Sequence, residues 1–304
     1  MILITGSSGK TGRAVLQKLG NTAEPVRAVV HRQDQVSQLL VAGAQEAVVC
    51  DLLSKSYLER ACQGVRAVYH ICPNMHPQEV EIGRSILEAA LQAGVERFVY
   101  HSVLHPQAEA MPHHWNKLRV EELIFTTRLQ FTILQPCAYM QNVLGYWKQI
   151  TGQGLYSIPY STETRLSMVD LNDVAQVAVN VLVETGHYGA IYELAGPEPL
   201  TQTKVAEILS QELGFPVRAE ALSMNEWEKQ AKASGMSDYA RATLLKMFDY
   251  YDKSGLTGNP SVLAWLLKRK PATFLEFVRR SIQENRSPSS HFQPGLDKKS
   301  TGGK

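Results

Sequence analysis

Along the first half of the chain, short and nearly unbroken apolar runs alternate with longer segments whose apolar residues recur every three or four positions. This pattern predicts strands at residues 2–4, 26–30, 47–50, 67–71, 97–102 and 131–134. Helices are predicted between them at 13–19, 35–42, 57–62, 79–93 and 117–126. The segment 79–93 is the clearest of these, with Val80, Ile82, Ile86, Leu87, Ala90 and Leu91 on one face and Gly94 to end it. Strands apolar on both faces and separated by helices imply a parallel sheet covered on both sides, with right-handed crossovers. The fold class expected is α/β, a Rossmann doubly wound parallel sheet with a smaller, mainly helical C-terminal lobe. In such a sheet a ligand lies beyond the C-terminal strand ends, where the winding reverses.

Past Pro136 the periodicity fades. A helix is predicted at 174–183, a late strand at 191–194, and a break at Gly196-Pro197-Glu198-Pro199. Thr201 or Thr203 is placed to cap a helix ending near Leu213. Further helices follow around 224–232, 239–250 and 273–284. The expected organisation is a nucleotide-binding unit over 1–150, completed by a late strand from about 185–197. A smaller substrate lobe is expected over 151–286, and a disordered tail rich in Ser, Pro, Gly and Lys over 287–304.

Composition narrows the function classes. The 304 residues carry a formal net charge of +2, with 44% hydrophobic and 20% charged residues, which makes no electrostatic case for a nucleic-acid partner. No run approaches the roughly 18 apolar residues of a membrane span, and the absence of a leader pattern points to a cytoplasmic protein. Cys50, Cys62, Cys72 and Cys137 lack metal-ligand spacing and lie in apolar surroundings, as reduced core thiols do. His101, His105, His113 and His114 form no helical pair with a carboxylate, so no metal site is expected, and Pro106 and Pro112 are read as breaking that segment.

The chemistry concentrates at the start. The strand Ile2-Leu3-Ile4 is followed by Gly6, Gly9 and Gly12 and then by an amphipathic helix. Gly6 suits a sharp exit from the strand, Gly9 a close approach of the backbone to a pyrophosphate, and Gly12 the packing of helix on strand. At the end of the second strand, where NAD-preferring folds place an acid, the chain has His31-Arg32. An arginine there can fork onto a 2′-phosphate, so NADP(H) is the expected cofactor. Lys10 and Arg13 add positive potential beside the turn, and Asp34 is read as the start of the next helix.

Taken together, these residues make the chain resemble the NmrA-like family of atypical short-chain dehydrogenases, and within it the type-2 quinone oxidoreductases. The resemblance runs from residue 1 to about 285. It rests on Thr5-Gly6-Ser7-Ser8-Gly9-Lys10-Thr11-Gly12, Cys50-Asp51-Leu52, Phe98-Val99-Tyr100-His101-Ser102 and Lys117 with Glu121. Gln135-Pro136 through Tyr139-Met140-Gln141-Asn142, Ser167-Met168-Val169-Asp170 with Asp173, and Trp265 ahead of Lys270-Pro271-Ala272-Thr273-Phe274 complete it. The likeness implies that Ser8, Lys10 and Thr11 join the glycines at the phosphates, and that Asp51 and Leu52 border the adenine. It places Ile71, Cys72, Pro73 and Asn74 along the ribose and nicotinamide, Lys117 on the nicotinamide ribose, and Pro136, Cys137 and Ala138 against the nicotinamide face. Ser102 stands where the family's catalytic serine lies.

One departure matters. Fully equipped short-chain dehydrogenases carry Tyr four residues before that lysine, and here the position holds His113, followed by His114 and Trp115. In one reading the imidazole of His113 is the proton donor; in another the site has lost its acid and serves acceptors, such as quinones, that draw a proton from water; in a third His113 is a polar loop residue. Trp115, Tyr139, Met140 and Trp147, with Asn142, suggest an organic substrate pocket. The leading expectation is therefore an NADPH-dependent oxidoreductase passing hydride to a quinone or other small carbonyl compound, as a monomer or a homodimer. The rival is a non-catalytic NADP(H)-binding sensor acting through a protein partner. An isomerase or epimerase of nucleotide sugars is disfavoured by the missing tyrosine.

Overall fold

The computed structural model describes residues 1–286; the tail expected over 287–304 lies outside them. The strands that share the main sheet are β1 (Ile2–Ile4), β2 (Val26–Val30), β3 (Glu46–Val49), β4 (Ala67–His70), β5 (Arg97–His101), β6 (Gln130–Pro136) and β10 (Ala190–Leu194). The shorter strands β7 (Ala138–Tyr139), β8 (Leu155–Ile158), β9 (Arg165–Val169), β11 (Pro199–Thr201) and β12 (Arg218–Ala221) lie outside it. The helices α1 (Lys10–Leu19), α2 (Val36–Val41), α3 (Lys55–Cys62), α4 (Glu79–Gln92) and α5 (Pro112–Phe125) connect the first six strands. The remainder are α6 (Trp147–Gln153), α7 (Leu171–Val183), α8 (Gln202–Leu213), α9 (Met224–Ala233), α10 (Asp238–Ser254), α11 (Ser261–Leu267) and α12 (Phe274–Arg286).

The main sheet has seven strands, all parallel, in the order β10-β6-β5-β4-β1-β2-β3. The chain winds outward from β1 to β3 and then returns to the other side of β1. The winding therefore reverses between β1 and β4, where Leu3 lies opposite Val68. Every residue of β1, β4 and β5 is buried, because the period of two sends alternate side chains into two separate cores. Ile2, Ile4, Ala28, Tyr69 and Val99 pack with α1, α7 and α11 on one face. Leu3, Val29, Val68, Phe98 and Ile133 pack with α3, α4 and α5 on the other. Buried Arg97, at the start of β5, donates to the carbonyl of Val181 at 3.1 Å and so closes the C-terminal end of α7, where a cation is favoured.

The C-terminal lobe has its own core, formed by Met140, Ile150, Tyr156, Val205, Leu209, Phe274, Phe277 and Val278. It carries two small sheets, β11-β9-β7 and β12-β8, that the periodicity did not reveal. Met140, expected beside a substrate, is buried in this core, and half-buried Trp147 packs against it. A second correction concerns α5. Pro112 does not break the segment but occupies the first helical turn, where its missing N–H costs nothing. His113, His114 and Trp115 therefore stand on a helix, and His113 shares a face with Lys117 one turn on.

Three histidines sit in the interior around the C-terminal ends of β4 and β5. His70 is stacked on Tyr100 with ring centroids 5.8 Å apart, and His101 and His114 are likewise buried. Burial, with the Lys117 cation adding to it, pushes His70 and His101 down to about 3. Burial and neighbouring His113 do the same to His114. Each stays neutral in the folded chain at pH values where the unfolded chain, with its histidines near 6.5, has already taken up a proton. Stability is then complete above about pH 6.5 and is lost as the pH falls from there toward 3, at up to about 1.4 kcal/mol per pH unit for each histidine. Urea unfolding at pH 7 and pH 5 is expected to show a loss of several kcal/mol; equal stability at the two values would show that these rings are not held neutral.

Candidate functional site

The site begins where β1 ends. Gly6 adopts φ +61°, and a Cβ there would lie 2.9 Å from the carbonyl oxygen of Ile71, so the turn after β1 rests on the loop after β4. Thr5 stitches the same two loops: its hydroxyl donates to the Ile71 carbonyl at 3.0 Å and accepts from the Ile71 N–H at 2.9 Å. Ser7 points inward, donating to the Ile4 carbonyl at 2.6 Å and accepting from the Val29 N–H at 3.2 Å. The N–H of Gly9 closes the turn onto the carbonyl of Gly6 at 3.0 Å. Helix α1 starts at Lys10 with Gly9 as its N-cap, and no side chain caps it. A Cβ on Gly12 would sit 2.4 Å from the Gly6 oxygen and 2.6 Å from the Ser7 Cα, which only glycine avoids. A Cβ on Gly9 would meet only the Gly6 oxygen, at 3.3 Å. Gly12 is demanded by the chain's own packing; Gly9 is not.

The remaining expected cofactor residues are arranged along the strand ends. Arg32 follows β2 and is exposed, its Nε donating to Asp34 at 3.0 Å; Asp34 lies in a short 3₁₀ turn, so it braces the arginine. Ser8 is half-buried, with its carbonyl accepting from Arg13 Nε at 2.9 Å. Asp51 is exposed and receives the N–H of Leu53 at 3.0 Å, with half-buried Leu52 packed on the core beside it. After β4, Ile71 is half-buried, Cys72 is buried, and Pro73 and Asn74 are exposed. Pro136 and Cys137 are buried and Ala138 half-buried beyond β6. Burial pushes the Cys137 thiol up to about 12, so it stays a thiol.

Above β5 lies a charge cluster centred on Glu79, the first residue of α4, which sequence reading missed. Lys117 Nζ donates to Glu79 Oε1 at 2.6 Å and to the His101 carbonyl at 3.2 Å, with both Lys117 and Glu79 buried. Tyr100 donates to the same carboxylate oxygen at 3.4 Å. His113 Nδ1 lies 3.5 Å from Glu79 Oε2, a contact that becomes an ion pair when the imidazole takes a proton. Burial alone would push the Glu79 carboxyl up; the Lys117 ammonium and His113 outweigh it and hold the group at about 2. A lone acid 38 residues before its cation carries no recognisable spacing, so only the fold reveals the pair.

Two further polar groups close the site. His101 bridges two phenols, with Tyr69 Oη 2.6 Å from its Nδ1 and Tyr139 Oη 2.6 Å from its Nε2; Thr11 Oγ1 donates to Tyr139 Oη at 3.4 Å. Ser102 is buried, and its hydroxyl proton is committed to Glu121, which also receives Gln135 Nε2 at 3.0 Å. Burial raises the Glu121 carboxyl in spite of these donors. Trp115 is half-buried on α5 and Asn142 is exposed. Among the described residues no three His, Cys, Asp or Glu side chains gather as metal ligands would, and no helix is long and apolar enough to cross a membrane.

Comparison with known proteins agrees with this geometry. An NAD(P)H azoreductase of Xenophilus azovorans is 28% identical over 284 residues, covering 92% of this chain and 97% of that protein. Quinone oxidoreductase 2 of Escherichia coli (strain K12) is 27% identical, with 94% and 100% covered. The crystal structure of an NADPH-dependent quinone oxidoreductase from Escherichia coli, complexed with NADPH, superposes with a TM-score of 0.82 at 26% identity, over 93% of this chain and all of that one. The model of the NmrA-like family matches residues 1–278, and the chain belongs to that family.

Proposed function

We propose that this chain is an NADPH-dependent oxidoreductase that passes hydride to a quinone or a related small carbonyl acceptor. The observation that carries the reading is Gly9: it stands at the uncapped N-terminus of α1, at the point where the sheet reverses, with the Gly6 oxygen as the one atom a Cβ there would approach, at 3.3 Å. A helix N-terminus approached by a glycine backbone receives phosphate without a lysine clamp. The relatives named above act on quinones and azo compounds with NAD(P)H, which fits the same crevice.

The surrounding residues divide the work. The Gly6–Gly12 turn with Ser8, Lys10 and Thr11 would hold the pyrophosphate, Arg32 the 2′-phosphate, and Asp51 and Leu52 the adenine edge. Ile71, Cys72, Pro73 and Asn74 on one side, with Pro136, Cys137 and Ala138 on the other, would flank the nicotinamide half. NADPH bound there supplies the hydride. Lys117 spends two of its three ammonium protons on Glu79 and the His101 carbonyl, which leaves one for a ribose hydroxyl. His113 stands with Nδ1 3.5 Å from Glu79 Oε2, and as an imidazolium it would have its Nε2–H to give to a substrate oxygen that needs a proton. Quinones need it least, because hydride transfer leaves a hydroquinone monoanion, which takes its one remaining proton from water.

Two measurements test the cofactor half of this reading. Replacing Arg32 with Ala should cost about 1.5–3 kcal/mol in NADPH binding and little in NADH binding; calorimetry of the wild type with both cofactors decides it, and equal affinities would remove the argument. Gly9→Val and Gly12→Ala should then behave oppositely. Gly12→Ala forces the Gly6 backbone apart and should lower stability by about 1–3 kcal/mol or more. Gly9→Val should melt near the wild-type temperature but lose the stabilisation that NADPH confers. A Gly9→Val protein still stabilised by NADPH would place the phosphates elsewhere.

A further inference from the structure

The side chains of Tyr69, His101 and Tyr139, which reach the first turn of α1 at Thr11, are used by none of these roles, and their hydrogen bonds have a direction. Tyr69 is fully buried, and the His101 ring is its hydrogen-bond partner. Were the phenol to accept from Nδ1–H, its own proton would be sealed in the interior without an acceptor, which is the costly arrangement. Tyr69 therefore donates to Nδ1. A neutral imidazole then carries its single proton on Nε2, and burial keeps this ring neutral far below pH 7. Nε2–H donates to the Tyr139 oxygen at 2.6 Å, and Thr11 donates to the same oxygen from the other side. Both contacts to the Tyr139 oxygen are then donations to it, and its own O–H is directed at neither. Burial also raises the Tyr139 phenol, so that proton stays in place.

We propose that Tyr139 is a hydrogen-bond donor to a phosphate oxygen of the dinucleotide, its proton freed for the ligand by the tautomer that Tyr69 imposes on His101. This rests on the function proposed above. The ligand oxygen follows from position: Thr11 belongs to the first turn of α1, the helix end that faces the pyrophosphate, and Tyr139 Oη lies against it. Tyr139 thus belongs to the cofactor side of the crevice, whereas the sequence alone suggested a substrate contact. Tyr69 and His101 touch no ligand and act as positioning residues.

The test has two readouts. Nitrogen-15 NMR of the histidine rings in the cofactor-free wild type should show His101 neutral, protonated on Nε2 and bare on Nδ1, at pH 7; a ring protonated on Nδ1 overturns the proposal whatever any variant does. Calorimetry should then show NADPH binding to Tyr139→Phe weakened about tenfold or more, the effect of losing a donor to a charged oxygen. Adenosine 2′-phosphate, which carries neither phosphate of the dinucleotide bridge, should bind the variant and the wild type alike. Unchanged NADPH affinity with a raised KM for quinone would mean that the phenol faces the substrate and would overturn the proposal. Equal weakening of both nucleotides would mean general damage to the site and would overturn it too. Failure of the wild type to bind NADPH would instead remove the functional reading beneath it, while the tautomer result stood.

Discussion

The missing side chain at residue 12 is the constraint on which the rest depends. With no Cβ there, the first turn of α1 comes down onto the backbone of Gly6 and Ser7, where a Cβ would stand 2.4 Å from the Gly6 oxygen and 2.6 Å from the Ser7 Cα. That contact fixes where α1 begins, and hence where its unpaired N–H groups point. Gly6 in turn leans on the Ile71 carbonyl, and Thr5 ties the two loops by hydrogen bonds in both directions. The helix end is thereby held at the boundary between β1 and β4, the one place in this sheet where neighbouring loops diverge and leave a crevice. In the function proposed here, phosphate binding is a consequence of packing, and Gly9 lets the ligand approach the backbone.

Beside this crevice the interior is polar, and its buried charges are paired. Glu79 and Lys117 are both buried, and neither charge could be kept there alone, since an unpaired buried charge costs several kcal/mol. Together with Tyr100 and His113 they form a unit whose removal in part would be worse than its replacement as a whole. Ser102, Glu121 and Gln135 form a second such unit, and Tyr69, His101 and Tyr139 a third. These groups gather at the C-terminal ends of β4, β5 and β6, where open α/β sheets do their chemistry. Their mutual hydrogen bonds orient protons within the site before any ligand arrives.

The inner strands were legible because a strand buried on both faces must be apolar throughout, and Ile2-Leu3-Ile4 or Phe98-Val99-Tyr100 cannot be read otherwise. The glycine turn was legible for a related reason, since the backbone geometry at Gly6 and Gly12 leaves little choice of residue. The second half lacked this clarity. Strand β12, Arg218-Ala219-Glu220-Ala221, is mostly exposed and shows no apolar pattern, so only its pairing with β8 makes it a strand. Pro112 was misread because a proline that ends a helix and one that opens it look alike without the next turn in view. Glu79 and the Tyr69–His101–Tyr139 line escaped notice because their partners lie 32 to 38 residues apart, joined only by the parallel register.

The central claim is that hydride leaves a nicotinamide held between the loops after β4 and β6, with its pyrophosphate at the turn after β1. Single-turnover mixing of the NADPH-loaded protein with a quinone, followed at the nicotinamide absorbance, tests it most directly. The account predicts a saturable, first-order loss of the reduced cofactor, slowed when the transferred hydrogen at C4 is deuterium. Tightly bound NADPH that no quinone or carbonyl acceptor oxidises would contradict it.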